Sequence, residues 1–193
     1  MEDVKEKKQQ LRKEVEETRA RLTESDLKEK TARIETQLFE FANFKESETA
    51  LFYCRADHAV NTRQILHHCE QEGKDIVLPL FGKDDSLQLM KINQLATDVT
   101  PGRVLYEPDP ERCKPVAFDI IDIAIVPGVA FDQKGARLGS GNGRYDRLIP
   151  KLPNTARKVA LALEYQLISA IPMESHDKFV DIIITEKRII YKI

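Results

Sequence analysis

The sequence predicts an α/β fold: one three-layer α/β/α domain with a mostly parallel sheet, preceded by N-terminal helices. Two observations carry that expectation. Five short apolar runs, at 49–54, 75–80, 120–126, 158–163 and 180–185, have the length and the branched residues of buried strands. The first two are separated by a loop and a helical pattern, which is the βαβ order of a parallel sheet whose ligand crevice lies at the strand C-termini.

The elements follow in order. Residues 3–22 set Val4, Leu11, Val15 and Leu22 on a helical stripe among charges, with Lys8 and Arg12 one turn apart on a shared edge. The segment from Thr23 to Asp26 reads as a helix start, and Leu27, Ile34, Leu38 and Phe41 continue a second amphipathic helix. A strand from Thr49 to Cys54 empties into residues 54–62, where a site is expected. Asn61 with Gln64 three residues on reads as the cap of the next helix; Ile65, Leu66 and Cys69 form its inner face, and Gly73 stops it. Asp75 to Leu80 is the second strand. Residues 82–118 are less regular, with Leu87 to Ile92 an expected edge strand and 107–111 a surface connection. The run from Ile120 to Val126 ends at Pro127-Gly128. Tyr145 to Leu152 can open a helix, and the last two strands enclose a short helical piece at Leu167 to Ala170.

A chain of 193 residues supports one sizeable core. No repeat, low-complexity stretch or linker interrupts it, so residues 1–193 are expected to form one domain, with 1–45 a helical region packed on it. The net charge of −2 gives no general attraction to nucleic acid or to an anionic membrane, so any basic site must be local. No apolar run approaches membrane-spanning length, and the first thirty residues are too charged for a signal peptide; a soluble cytoplasmic protein, acting as a monomer, is expected. Cys54, Cys69 and Cys113 lack metal spacing and read as free thiols, and the pair His67-His68 reads as helix surface.

The chemistry concentrates between Val126 and Arg147. Gly139, Gly141 and Gly143 alternate with small polar residues, so that backbone N–H groups can turn toward one anion. Arg137 and Arg144 flank the loop with fixed charge, Tyr145 adds a ring and a hydroxyl, and Asp146 supplies a hard carboxylate suited to magnesium. Neither common nucleotide fingerprint applies, and no nucleophile-plus-base constellation is present. An anion cradle, cations and carboxylates are the parts of phosphoryl transfer, a reaction catalysed mainly by positioning and charge neutralisation.

The stretches Pro127-Gly128-Val129-Ala130-Phe131-Asp132, Arg137-Leu138-Gly139 with Gly141 and Gly143, and Tyr145-Asp146 resemble the signature of the 5-formyltetrahydrofolate cyclo-ligase family. The resemblance extends to Lys8 through Arg12 near the start, and to Ala160 through Gln166 and Asp177 near the end. It implies an enzyme that converts 5-formyltetrahydrofolate and MgATP to 5,10-methenyltetrahydrofolate, ADP and phosphate, by phosphorylating the formyl oxygen. Its partners would be a reduced folate and ATP, with Mg2+ bound.

Carried over by position, the resemblance implies ATP contacts from Lys8, Arg12, Arg137, Leu138, Gly139, Ser140, Gly141, Asn142, Gly143, Arg144 and Tyr145. Arg137 and Tyr145 would be catalytic, and Asp146 and Asp177 would hold the metal. Substrate contacts fall to Cys54, Asp57, Ala59, Ser140, Gly141, Asn142, Gly143 and Arg144. Two positions depart from the family pattern: Arg144 replaces a tyrosine that lines the substrate cleft, and Ala59 replaces a pterin-binding glutamate, with Asp57 and His58 just before it. Two other readings therefore stay open: a relative that keeps the ATP site and acts on another formylated small molecule, and a non-catalytic nucleotide- or folate-binding protein.

Overall fold

The computed structural model describes residues 3–53, 59–84, 86–101 and 106–192. Three helices come first: α1 (Val4–Arg19), α2 (Glu24–Glu40) and α3 (Ala42–Glu46). Then follow β1 (Thr49–Leu51), α4 (Arg63–Gln71), β2 (Asp75–Phe81), β3 (Leu87–Ile92), α5 (Leu95–Asp98), β4 (Val99–Pro101), β5 (Tyr106–Pro108) and β6 (Lys114–Val116). The last part holds β7 (Ile123–Ile125), β8 (Ala130–Phe131), β9 (Arg137–Leu138), α6 (Arg144–Leu148), β10 (Arg157–Leu161), β11 (Ile182–Ile184) and β12 (Ile189–Tyr191).

Eight strands form the main sheet in the order β12-β11-β10-β7-β1-β2-β3-β6. Its five central strands are parallel, and β12, β3 and β6 run antiparallel to their neighbours. Every residue of β1, β7 and β11 is buried. Successive side chains of a strand point to opposite faces, so both faces of the sheet are covered, as three layers require. Each large apolar side chain buried in this way contributes about 1.5–3 kcal/mol. The fold class read from the sequence is therefore the one observed.

Local chemistry explains several element boundaries. Thr23 caps α2 by accepting from the Asp26 amide, while the Asp26 carboxylate accepts from the Thr23 amide, a reciprocal box that satisfies two end donors. The expected cap of α4 is displaced by one residue. Thr62 holds the cap position, its hydroxyl donating to the Tyr53 carbonyl at 2.5 Å, and Asn61 instead accepts from the Arg63 amide at 3.0 Å. Gly73 ends the helix with φ of 72°.

Other expectations are corrected. β3 is not an edge, because β6 pairs with it on the far side from β2. The short helical turn after β10 spans Glu164–Gln166 rather than residues 167–170. The β8–β9 ribbon stands between β7 and the glycine loop, and β12 adds a strand that had no expected counterpart.

The parallel strands alone, named in chain order, lie as second, first, third, fourth and fifth. The connection therefore reverses direction between β1 and β7, and ligands of such sheets bind outside the carboxyl ends of the strands at that switch point. Tyr53 leaves β1 there, and Pro127 and Gly128 leave β7 there.

Candidate functional site

The site is built around Arg137, which is 4 % exposed on β9. Its Nη1 donates to the Pro127 carbonyl at 3.2 Å and its Nη2 to Asp146 Oδ1 at 2.6 Å. Two glycines leave room for it. A Cβ on Gly128 would lie 3.1 Å from Arg137 Cγ and 2.5 Å from the Phe131 ring, and a Cβ on Gly139 would lie 2.9 Å from Arg137 Nη1. Gly139 is thus required by close approach. Left-handed backbone occurs at Gly141, with φ of 104°, and at Gly143, with φ of 64°. Ser140, Gly141 and Asn142 face solvent, and Asn142 Oδ1 turns back to accept from the Arg144 amide.

Helix α1 closes one side of the loop. Lys8, Leu11, Arg12 and Val15 follow the i, i+3, i+4, i+7 spacing, so the two cations share the inward stripe with the two apolar residues. Val15 packs with Val129, Ala130, Ala136, Leu138 and Ile171, and Leu11 borders that cluster. Arg12 Nε donates to the Gly139 carbonyl at 2.8 Å, and Lys8 Nζ reaches Asp177 Oδ2 at 2.5 Å and Glu174 Oε2 at 2.8 Å. Burial lowers the Arg12 guanidinium from its ordinary value, against the charge of Asp177. Burial also works against the Lys8 ammonium, but its bonds to Asp177 and Glu174 outweigh it and the pKa is raised.

The segment carrying Asp177 faces the same place. Asp177 Oδ2 accepts from the Glu174 amide at 2.7 Å, and the amide of Lys178 donates to Asp146 Oδ1 at 3.2 Å, so the two carboxylates flank one stretch of backbone. Burial raises the Asp177 carboxyl, yet the bonds from Lys8 and the Glu174 amide hold it below the usual value. Glu174, His176 and Asp177 each bring a ligand atom within 4.8 Å of the others.

Tyr145, in α6, is 8 % exposed, with its ring edge-on to Phe81 at 5.8 Å between centroids. Burial raises its phenol well above the usual value, opposed by the charges of Arg137 and Arg144. Tyr53 is raised by burial and further by Tyr145, and its hydroxyl donates to the Val60 carbonyl at 2.9 Å. Two buried polar atoms lack a hydrogen-bond partner among the described residues, Arg137 Nε and the Tyr145 hydroxyl. Such orphans cost about 1–3 kcal/mol each unless water or a bound group satisfies them.

The structure therefore gathers Lys8, Arg12, Arg137, Leu138, the loop 139–143, Arg144, Tyr145, Asp146 and Asp177 around one end of the sheet. Ala59 is half-buried against the core beside the switch point. Cys54 and Asp57 lie outside the described residues. Sequence reasoning missed Glu174, second partner of Lys8, and gave no role to Gln166, which is 1 % exposed and whose Nε2 donates to the carbonyls of Gly128 and Val129. It also gave no task to Asp132, whose carboxylate accepts from the amides of Lys134, Ala136 and Ile171. Glu174 stands three residues before Asp177, a spacing that could have flagged the pair.

Comparison with known proteins finds relatives of the whole chain. The chain is 27 % identical over 197 residues to a probable 5-formyltetrahydrofolate cyclo-ligase of Caenorhabditis elegans, covering 96 % of each protein. It is 28 % identical to a probable enzyme of the same name from Schizosaccharomyces pombe, covering 97 % of this chain and 98 % of that one. Its structure overlays on 5,10-methenyltetrahydrofolate synthetase of Aquifex aeolicus with a TM-score of 0.84 and 29 % identity, over 95 % of this chain and 92 % of the other. The pattern that defines the 5-formyltetrahydrofolate cyclo-ligase family matches residues 4–186, and with that match the chain belongs to the family.

Proposed function

We propose that the protein catalyses the ATP-dependent cyclisation of 5-formyltetrahydrofolate to 5,10-methenyltetrahydrofolate, with residues 1–193 acting as one cyclo-ligase domain. The observation that supports it most is the convergence of three cations, a glycine loop and two carboxylates at the switch-point end of a family member. Lys8, Arg12, Arg137 and the amides of 139–143 meet the triphosphate, where charge-assisted bonds are the strong ones.

The carboxylates fit the metal such a reaction employs. Both are hard oxygen donors, and Asp146 Oδ2 accepts no hydrogen bond among the described residues. Asp146 and Asp177 would hold magnesium, which neutralises phosphate charge during transfer.

In the reaction the formyl oxygen attacks the γ-phosphorus, the bond to the bridging oxygen breaks, and ADP leaves. The formyl carbon, now bonded to a phosphorylated oxygen, is electrophilic enough for N10 to attack. N10 loses its proton, the carbon–oxygen bond breaks with its electron pair, and inorganic phosphate departs from the new ring. Arg137, whose guanidinium lies against Asp146, and the neighbouring Tyr145 are the residues assigned to stabilise the oxygen at which charge develops. Aligning the two reactants and keeping water from the phosphorylated carbon are the other tasks of the cleft.

The test is direct. Purified protein with MgATP and 5-formyltetrahydrofolate is expected to raise the near-ultraviolet absorbance of the methenyl product. No rise at generous protein concentration would reject the proposal.

A further inference from the structure

Arg144 is the loop residue whose side chain the arrangement above leaves without a partner of opposite charge. The cations around it each have an acceptor: Arg12 donates to Gly139, Arg147 to Asn142, Arg137 to Pro127 and Asp146, and Lys8 to Glu174 and Asp177. Among the described residues the Arg144 guanidinium meets no carboxylate and makes no hydrogen bond. Its contact is the Phe81 ring, 5.1 Å from Cζ to the centroid, and the side chain is only half-buried.

That geometry prepares a receptor. A guanidinium held over a ring spends none of its N–H donors on that contact, so they are kept for a partner. A guanidinium fixed in this way suits the two-point grip of a carboxylate. Its anchor narrows the choice of ligand. Lys8 and Arg12 project from α1, whereas Phe81 closes β2 and is shared with Tyr145. Arg144 is therefore held at the carboxyl end of β2, the neighbour of β1, and the cations proposed for the triphosphate are fixed to α1 and β9.

We infer that Arg144 grips a carboxylate of the substrate's glutamyl tail and sets how strongly a substrate with that tail is preferred to one without it. This rests on the proposed function. The two carboxylates of the glutamyl group are the anionic groups of 5-formyltetrahydrofolate at neutral pH, and a two-point contact to one of them discriminates against a substrate that lacks it.

The experiment compares the parent protein with Arg144→Gln and Arg144→Lys on two substrates. These are 5-formyltetrahydrofolate and 5-formyltetrahydropteroate, which keeps the pterin and benzoyl groups and lacks the glutamate. The reading is the ratio of kcat/KM between the two substrates, with KM for ATP measured alongside. In Arg144→Gln the ratio is expected to fall about 10- to 100-fold, the loss of one charge-assisted pair, mainly through KM for the folate. Arg144→Lys, which keeps the charge without the fork, is expected to restore part of it. An unchanged ratio overturns the inference, as does an equal loss on both substrates that travels with KM for ATP, which would make Arg144 a phosphate ligand. A parent protein that turns over neither substrate overturns the proposed function itself, an outcome distinct from turnover with an unaltered ratio.

Discussion

Replacing Lys8 with methionine removes an ammonium from beneath α1 and keeps most of its aliphatic stem. The side chains of Asp177 and Glu174 are 10 % and 31 % exposed, so their losses differ. Unpairing a fully buried charge costs about 3–5 kcal/mol, whereas a partner with access to water costs little. Glu174 belongs to the second kind. Asp177 is closer to the first but keeps the Glu174 amide at 2.7 Å, which brings the expected cost to about 2 kcal/mol. For a chain of this size that lowers Tm by roughly 4–8 °C.

The pH dependence makes the expectation sharper. The Asp177 carboxyl is held below 3.8, so its contribution is present above that value and is lost as pH falls through the lower folded pKa. The Lys8 ammonium is raised above 10.5, so its contribution is present below that value and is lost as pH climbs through the folded pKa. The gap in Tm between parent and Lys8→Met is therefore expected to be widest from about pH 5 to pH 9 and to narrow on both sides. Thermal unfolding followed by circular dichroism across that range is the assay. A variant as stable as its parent at neutral pH, or a gap that persists undiminished into strong acid, would refute the claim that this pair docks α1.

Three further changes test the site. Gly139→Ala places a methyl 2.9 Å from Arg137 Nη1, and since Pro127 and Asp146 tether that guanidinium, kcat is expected to fall about tenfold or more while the circular dichroism spectrum is kept. Tyr145→Phe removes a buried hydroxyl that has no partner among the described residues, so Tm is expected to hold or to rise by a few degrees while kcat falls; a lower Tm would show that the hydroxyl has a structural partner. Gln166→Leu takes a donor from the Gly128 and Val129 carbonyls and an acceptor from the Leu163 amide, and is expected to cost about 2–4 kcal/mol in urea unfolding.

Strands buried on both faces were legible because Ile123, Ile125, Ile182 and Ile184 belong to unbroken apolar runs, and the α2 cap because Thr23 and Asp26 carry their own chemistry. The role of β3 was not legible. Whether a strand is an edge depends on what pairs beyond it, and β6 is three residues, Lys114–Val116, with Pro115 at its centre. Residues 164–166 were missed for a different reason. Their turn is held by the buried Gln166, whose Oε1 accepts from the Leu163 amide, rather than by an apolar period. At Gly139 the sequence suggested backbone freedom, but the reason is the volume of a side chain two residues away in the chain, which no local pattern encodes.

The site's charged residues could be named one by one, and their pairing could not. Lys8 and Asp177 are 169 residues apart in sequence, and nothing in either neighbourhood says that they meet. The pairing matters for the proposed function, because two of the three cations proposed to meet the phosphates are bonded to a proposed metal ligand: Lys8 to Asp177, and Arg137 to Asp146. Taking up a triphosphate would cost both pairs if the carboxylates were then left alone in a poorly solvated cleft. If magnesium takes the carboxylates as the phosphates take the cations, every charge exchanges one opposite partner for another and no group is stranded. ATP and metal should then bind together more favourably than either does alone. The coupling arises from the two ion pairs, so it should weaken in Lys8→Met, where Asp177 is already without its cation.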